Sequence, residues 1–244
     1  MKLIIDIGNT FVKIAVFDKK QLLDIYTLED LSIEKISSIE KKYPKISSAI
    51  VSSVKSYDIS VKKYLQEKYF FIELNDSTGL PIGSDYKTPK TLGNDRIAAV
   101  TAAFDLYPQS NVLVIDAGTC ITYDLINDKG VYSGGSISPG IEMRFKALNS
   151  FTAKLPLLKF KEIDYLTGIT TEQSILSGVI NGVCAEIDGI IASYQKNYEN
   201  LTIILSGGDY IYFDKRLKNN IFALPNIVLQ GLNIILDFND KKLD

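Results

Sequence analysis

Short runs of apolar, β-branched residues alternate along the chain with longer segments whose apolar residues recur every three or four positions. Four runs of the first kind predict strands: 3–7, 46–54, 113–115 and 203–205. Three segments of the second kind predict helices: 59–68, 94–106 and 171–196. Asn94 or Asp95 is expected to cap the second helix, and Thr170 and Gln173 have capping-box spacing at the third. Strands that alternate with helices predict an α/β fold.

One strand–turn–strand pattern occurs twice. The segment 3–10, LIIDIGNT, precedes a strand-like run at 11–17, and the segment 113–119, LVIDAGT, precedes a second such run at 121–126. In both copies a glycine supplies the backbone freedom that a tight turn needs. Because the second copy starts near the middle of the chain, the sequence predicts two related halves, 1–112 and 113–244.

Charge and hydropathy argue against two kinds of partner. The 27 basic and 29 acidic residues give a net charge of −2, which supplies no general attraction to nucleic acid or to an anionic membrane. Asp6 interrupts the first apolar run, and no segment approaches the roughly 18 apolar residues of a membrane span. We therefore expect a cytoplasmic protein that binds neither nucleic acid nor membrane.

The absence of histidine restricts the chemistry. With 0 histidines, the chain has no Ser-His-Asp or Cys-His catalysis, no imidazole base and no His-ligated metal. Two cysteines, Cys120 and Cys184, are too few for a Cys-only zinc site. Catalysis must therefore use carboxylates, Lys or Arg, hydroxyls, backbone amides or hard cations.

The segment Asp6–Lys13 has the composition of a phosphate-binding turn. Gly8 allows a turn whose amides point outward, Lys13 adds positive charge, and Asp6 is suited to hold a hydrated Mg²⁺. The alternative is an ordinary polar hairpin turn with Lys13 on a solvated edge. The second copy of the turn favours phosphate binding, because two such turns facing one another form a cleft for a polyphosphate.

Asp95 is the candidate general base. Phosphorylation of an alcohol requires an acceptor for the hydroxyl proton, and without histidine a carboxylate is suited to that role. The neighbouring Arg96 is suited to bind a substrate carboxylate through two hydrogen bonds. The alternative is purely structural, with Asp95 capping the helix and Arg96 solvated in its first turn.

Seven motifs follow one another along the chain. They are Asp6-x-Gly8-Asn9-Thr10-x-x-Lys13, Leu92-Gly93-x-Asp95-Arg96, Asp116-Ala117-Gly118-Thr119, Gly134-Gly135-x-Ile137-x-Pro139-Gly140, Gly168-x-x-Thr171, Ser206-Gly207-Gly208-Asp209 and Pro225-Asn226-x-Val228-Leu229-x-Gly231-Leu232. Their content and order resemble the type III pantothenate kinase family, in the actin-like ATPase and sugar kinase superfamily, over almost the whole chain. The resemblance implies an α/β fold of two similar actin-like (ribonuclease H-like) halves, each a mixed sheet with flanking helices, with a cleft between them.

The resemblance also implies an activity, the ATP-dependent phosphorylation of pantothenate to 4'-phosphopantothenate in the first step of coenzyme A biosynthesis. The positions that match ATP-binding residues are Asp6, Ile7, Gly8, Asn9, Thr10, Phe11, Val12, Lys13 and Thr119. Those that match pantothenate-binding residues are Tyr86, Gly93, Asn94, Asp95, Arg96 and Thr171. Asp95 matches the general base, Asp116 matches the ligand of a monovalent cation (K⁺ or NH₄⁺), and the turn 206–209 matches the adenosine side. The family also forms homodimers.

Two other functions are compatible with the same motifs. One is a nucleotide-binding regulator without kinase activity, similar to the transcription accessory factors described in this family. The other is a kinase for a different small hydroxy acid. Asp95 separates the first from a kinase, because a binding module needs no base beside the acceptor.

Overall fold

The protein, seen in a computed structural model that describes residues 1–213 and 215–240, divides by its contacts into two compact units. The first unit comprises Met1–Pro108, Lys129–Ser133 and the chain from Asn226 onward. The second comprises Gln109–Asp128 and Gly134–Pro225. The predicted α/β class is confirmed, since each unit combines a sheet with helices.

The elements alternate along the chain as the hydrophobic pattern predicts. The strands are β1 (Lys2–Ile7), β2 (Val12–Asp18), β3 (Gln21–Leu28), β4 (Ser48–Ser53), β5 (Phe70–Glu73), β6 (Gly83–Ser84), β7 (Val112–Ala117), β8 (Cys120–Ile126), β9 (Val131–Pro139), β10 (Thr202–Ser206) and β11 (Phe222–Ala223). The helices are α1 (Ile33–Lys42), α2 (Ile59–Lys68), α3 (Asn94–Leu106), α4 (Ile141–Ser150), α5 (Thr171–Gln195) and α6 (Ile227–Asp240).

A five-stranded mixed sheet, in the order β3-β2-β1-β4-β5, forms the centre of the first unit. β1 pairs antiparallel with β2 and parallel with β4, which in turn pairs parallel with β5. Alternate residues of these strands pack against buried side chains of α1 and α2, including Ile36 and Leu65. The carboxyl ends of β1, β4 and β5 therefore lie at one edge of the sheet, where ligands bind in open α/β sheets.

Helix α6 belongs to the first unit although it is the last element of the chain. It packs against α3, β1 and β4. The Lys2 ammonium at the start of β1 contacts the Asp237 carboxylate at 2.5 Å and the Asn233 side chain at 3.0 Å. A Cβ added at Gly231 would lie 1.8 Å from the Ala98 carbonyl oxygen, so glycine is required for α3 and α6 to approach this closely.

The second unit is built on the strands β11-β10-β7-β8-β9. β10 pairs parallel with β7, and β7 pairs antiparallel with β8. The long helix α5 packs its predicted stripe into the core of this unit, with Ile175, Val179, Val183 and Ile187 buried and Ile190 and Tyr194 half-buried. β9 starts in the first unit, where Val131 and Tyr132 pair with β6.

Two sequence-based expectations about helix starts have different outcomes. Helix α3 begins at Asn94 and is preceded by Gly93 in the N-cap position, so neither Asn94 nor Asp95 is the cap. The Thr170 hydroxyl accepts a hydrogen bond from the Gln173 N–H at 3.2 Å and caps α5, as its spacing predicts. The Gln173 side chain accepts from the Ile169 N–H at 3.0 Å, one residue before the position that an ideal capping box uses.

Two further expectations are corrected by the structure. An 18-residue window of α5 has a mean hydropathy of 1.6, so one helix is long and apolar enough to cross a membrane by length and composition alone. The apolar stripe of α5 nevertheless packs into the core of the second unit. Asp124 is the second: the alternating pattern of the run 121–126 predicts that it lies exposed at a strand end, but it is fully buried in β8.

The contact-based units differ from the predicted halves. The sequence places a boundary at 112/113 and assigns everything after it to the second half. In the structure residues 226–240 pack with the first unit, as does the short segment Lys129–Ser133. The two halves were inferred from the duplicated turn, and an internal repeat with a boundary at 112/113 remains a prediction.

Candidate active site

The first turn connects β1 to β2 at the carboxyl edge of the first sheet. Ile7 pairs with Val12, and the four residues between them are closed by a hydrogen bond from the Gly8 N–H to the Phe11 carbonyl at 3.0 Å. Asn9 is exposed in this turn, as are both residues that follow it. The predicted strand–turn–strand is confirmed, and its polar groups are accessible to a ligand.

Asp6, the last polar residue of β1, has a perturbed acidity. It is half-buried, and this loss of water raises its pKa from 3.8 to about 6. A hydrogen bond from the Ser52 hydroxyl at 3.0 Å partly opposes the shift, as does Lys13, which pairs with Asp6 across the two strands. The charge of Asp95 raises the pKa further, which places Asp95 and Asp6 within electrostatic reach of one another.

The acceptor loop, Gly93–Arg96, starts helix α3. The Asn94 side chain donates to the Leu74 carbonyl at 3.0 Å, which ties the loop to the end of β5. The Asp95 carboxylate accepts a hydrogen bond from the Arg96 N–H at 2.9 Å and lies within 2.4 Å of the position that a Cβ on Gly93 would take. Glycine at this position therefore leaves room for the Asp95 side chain.

Arg96 and Tyr86 lie together in the first unit. Arg96 is only 6% exposed, which overturns the alternative of a solvated first-turn residue. Its guanidinium carbon lies 5.9 Å from the centroid of the Tyr86 ring, which also stacks on Tyr132 at 5.8 Å. The structure thus brings two predicted pantothenate contacts together.

The second turn, between β7 and β8, is tighter than the first. Ala117 pairs with Ile121, and the Gly118 N–H donates to the Cys120 carbonyl at 2.9 Å. Thr119 is exposed at the tip of the turn. Asp116 is half-buried at the end of β7, in register with Ser206 of the parallel strand β10.

The Ser206–Asp209 turn also meets the end of β7. The Asp209 N–H donates to the Ala117 carbonyl at 3.0 Å, so this turn and the Asp116–Thr119 turn adjoin in the second unit. Burial raises the pKa of Asp209 from 3.8 to about 6, and the charge of Glu142 adds to the shift. A group with such a perturbed pKa in a turn is typical of a ligand-binding position.

Thr171 is the exposed first residue of α5 in the second unit. It lines a groove of about 980 Å³ together with Arg144, Gly168 and Gly178. Arg144 is fixed there by an ion pair with Glu186 at 2.6 Å.

Two residues near the first turn were not predicted from the sequence. Ser52 donates to Asp6, and the Lys55 ammonium donates to the Asn9 carbonyl at 3.3 Å. Both follow from the parallel pairing of β4 with β1, which carries the segment after β4 to the turn. The sequence signal was the polar pair Ser52-Ser53 at the end of a buried strand, with Lys55 two residues further on.

Clusters of side chains that could together ligate a metal ion are absent from the described residues. Within residues 1–213 and 215–240 no group of three or more Cys, Asp or Glu side chains has the geometry to enclose a metal ion. Mg²⁺ in phosphoryl-transfer enzymes is often held by one or two carboxylates, with water and substrate phosphates completing its six ligands. The half-buried Asp6 beside a phosphate-type turn fits that requirement.

Comparison with solved structures identifies the fold. A Campylobacter jejuni protein described as a Baf family transcriptional activator matches with a TM-score of 0.61 and 23% identity, covering 98% of this chain and 99% of that one. An inorganic polyphosphate/ATP-glucomannokinase from an Arthrobacter species matches with a TM-score of 0.50 and 15% identity, covering 98% and 100%. At these identities the matches show the fold alone. Together with the paired strand–turn–strand units, they define an actin-like ATPase and sugar kinase fold.

Sequence comparison narrows the class to one family. The family model for type III pantothenate kinase matches residues 2–193. A type III pantothenate kinase of Christiangramia forsetii is 51% identical over 241 residues, which cover 98% of this chain and 99% of the relative. The chain belongs to the type III pantothenate kinase family.

Proposed function

We propose that this protein transfers the γ-phosphoryl group of ATP to the hydroxyl of pantothenate and so catalyses the first step of coenzyme A biosynthesis. Family membership supports this reaction. The structural observation that supports it is the hydrogen bond from the Asn94 side chain to the Leu74 carbonyl at 3.0 Å, which ties the loop that contains Asp95 to the carboxyl edge of the first sheet, where the Asp6–Lys13 turn also lies. This arrangement supports a candidate base near a phosphate-type turn within one unit, as a phosphoryl transfer to an alcohol requires.

Each predicted residue has a role in this reaction. The segment Asp6–Lys13 and Thr119 bind ATP. Tyr86, Gly93, Asn94, Arg96 and Thr171 bind pantothenate, with the buried guanidinium of Arg96 pairing with the substrate carboxylate. Asp95 takes the hydroxyl proton as the oxygen bonds to the γ-phosphorus, the bond from that phosphorus to the bridging oxygen breaks, and ADP leaves.

Two cations complete the proposal. Asp6 holds a hydrated Mg²⁺, which neutralises phosphate charge when it is bound. Asp116 holds a monovalent cation, K⁺ or NH₄⁺, at the end of β7, where it too offsets phosphate charge. Carboxylate oxygens are the ligands that such hard cations prefer.

The oligomeric state and the cellular location are also part of the proposal. We infer a cytoplasmic homodimer that acts on small molecules and binds neither nucleic acid nor membrane. The alternative, a regulator without catalysis, is not favoured, because the match to the transcriptional activator shows the fold alone whereas the family assignment names a kinase.

The test is a kinase assay with a matched pair of variants. Purified protein is incubated with Mg²⁺-ATP and pantothenate, with and without K⁺, and phosphopantothenate is measured by mass spectrometry. Asp95→Asn should lower kcat by roughly 10²- to 10⁴-fold because the proton acceptor is lost. Asp105→Asn, in the same helix but ion-paired with Lys20, should leave turnover near the wild-type value. If no phosphopantothenate forms with or without K⁺, the function is refuted, and full activity of Asp95→Asn refutes the role of Asp95.

A further inference from the structure

The segment after β4 carries a lysine beside the first turn. Ser53 pairs with Ile7, and the Val54 N–H donates to the Ile7 carbonyl at 3.1 Å. The Ser53 hydroxyl accepts from the Lys55 N–H at 3.3 Å and donates to the Lys55 carbonyl. The Lys55 backbone is therefore held just beyond the end of the paired strands, where the turn 8–11 begins.

The side chain of Lys55 reaches into this turn. Its ammonium donates to the Asn9 carbonyl at 3.3 Å, and the residue is exposed. An ammonium has three donors, so one hydrogen bond to a neutral carbonyl leaves two donors for a ligand.

The ammonium group of Lys55 has different surroundings from that of a nearby lysine. Lys62 lines the same cavity of about 330 Å³, but it is ion-paired with Glu73 at 2.5 Å. Among the ion pairs that the structure shows in residues 1–213 and 215–240, none includes Lys55. Its positive charge is therefore available to an anion at the turn.

The turn needs such a charge if it binds a polyphosphate. Asp6 and Asp95 are within electrostatic reach of one another, and an approaching phosphate chain would meet both carboxylates. Lys13, opposite Asp6 on β2, supplies one compensating charge. Phosphoryl-transfer sites use Lys or Arg side chains to hold the phosphate groups and stabilise the charge on the transferred group.

We propose that Lys55 is a phosphate-binding residue, whose ammonium donates a hydrogen bond to the phosphate chain of ATP held by the turn 8–11. The inference rests on the proposed kinase function and adds a second lysine to the residues that contact ATP. The flexible four-carbon stem of Lys55 permits it to exchange the Asn9 carbonyl for a phosphate oxygen, or to bind both.

The test compares Lys55→Met and Lys55→Arg with Lys63→Met. Lys63 is an exposed lysine of α2, so its variant removes the same charge at a nearby position. Lys55→Met should lower kcat/KM for ATP by roughly 10- to 100-fold, which is the effect of losing one charge-assisted hydrogen bond. The KM for pantothenate and the melting temperature should stay near their wild-type values. Lys55→Arg should retain most of the activity, and Lys63→Met should stay within about twofold of the wild type.

Each outcome decides the inference separately from the function. If the wild type is active and Lys55→Met has an unchanged kcat/KM for ATP, the inference is refuted while the function stands. If Lys55→Met loses kcat/KM equally for ATP and for pantothenate and also has a lower melting temperature, Lys55 has a structural role and the inference is likewise refuted. If the wild type is inactive, Mg²⁺-ATP binding measured by calorimetry decides: a loss of roughly tenfold or more in Lys55→Met supports the inference, and equal affinity refutes it.

Discussion

Replacing Asp6 by asparagine should stabilise the folded protein at neutral pH while it removes activity. Asparagine has the same shape and still accepts the hydrogen bond that Ser52 donates to Asp6 at 3.0 Å. It lacks the charge that burial penalises. The substitution therefore separates the electrostatic penalty of the carboxylate from the packing of its side chain.

The magnitude follows from the shift of its pKa. Folding raises the pKa of Asp6 from 3.8 to about 6, so between these values the folded state binds more protons than the unfolded state. Stability consequently falls as the pH rises through this window, and the penalty is fully present above about pH 6. At about 1.4 kcal/mol per pH unit the penalty is at most about 3 kcal/mol, and we expect Asp6→Asn to raise the free energy of unfolding by about 1–3 kcal/mol at pH 8.

Urea unfolding of the ligand-free protein at several pH values checks this prediction. The advantage of Asp6→Asn should shrink as the pH falls from 8 to 4, because the wild-type carboxyl becomes protonated. Asp58→Asn is a control of opposite sign: Asp58 accepts a hydrogen bond from the Ser60 N–H at 2.8 Å, which lowers its pKa. That variant should be slightly less stable at pH 8. If Asp6→Asn is destabilised at pH 8, or if its effect is independent of pH, the electrostatic reasoning is wrong.

Three further substitutions test the packing and the charges described above. Gly93→Ala should lower kcat by about tenfold or more in the kinase assay. The added Cβ would lie 2.4 Å from an Asp95 carboxylate oxygen, so the carboxylate would have to move. Gly231→Ala should lower the urea-unfolding free energy by about 1–3 kcal/mol, because its methyl group would lie 1.8 Å from a carbonyl oxygen of α3. Glu40→Gln should cost about 1–3 kcal/mol at pH 7, by urea unfolding, because Glu40 is buried and hydrogen-bonded to a lysine and two tyrosines. Hydrogen bonds from Lys68 and the two tyrosines outweigh burial and lower the pKa of Glu40 from its usual 4.5, so the cost should shrink as the pH falls below that value.

Each of these predictions has an outcome that contradicts it. Wild-type turnover in Gly93→Ala would mean that the position of Asp95 is not critical. Gly189→Ala is the control for Gly231→Ala, since no atom beyond its own helix lies within 4 Å of the added Cβ, and it should be neutral or stabilising. Equal effects of the two glycine substitutions would refute the close helix contact. A cost of Glu40→Gln that does not shrink as the pH falls below 4.5 would show that lost packing, rather than charge, is responsible.

The local elements of the fold were predictable because their signals lie in short segments. Helix α2 and helix α3 have the bounds that apolar spacing predicts, and both strand–turn–strand units are confirmed. Hydrophobic periodicity specifies such elements without any knowledge of the neighbours. The same reasoning placed the acceptor loop at the start of α3 but misjudged its N-cap, because Gly93 fills that position without a side-chain hydrogen bond.

Features that depend on distant parts of the chain were not predictable in this way. The association of α6 with α3 depends on elements that are far apart in sequence, and no local pattern records it. Asp124 sits in an alternating strand whose pattern suggests exposure, yet the surrounding unit buries it. Lys55 lies beside the first turn only because β4 pairs parallel with β1. Strand order and helix docking therefore decide which polar residues belong to the site.

The direction of the pKa shifts separates two kinds of buried or half-buried carboxylate in this protein. Burial opposes the ionisation of Glu40, Glu73 and Glu186, but hydrogen bonds from Lys or Arg together with Tyr side chains outweigh it, and their pKa values are lowered. Asp6 and Asp209, each beside a turn at the carboxyl edge of its sheet, are instead raised to about 6. The first group stabilises the fold above its pKa, whereas the second reduces stability at neutral pH. In the proposed kinase, the Mg²⁺ that accompanies ATP has the charge to offset this disadvantage at Asp6.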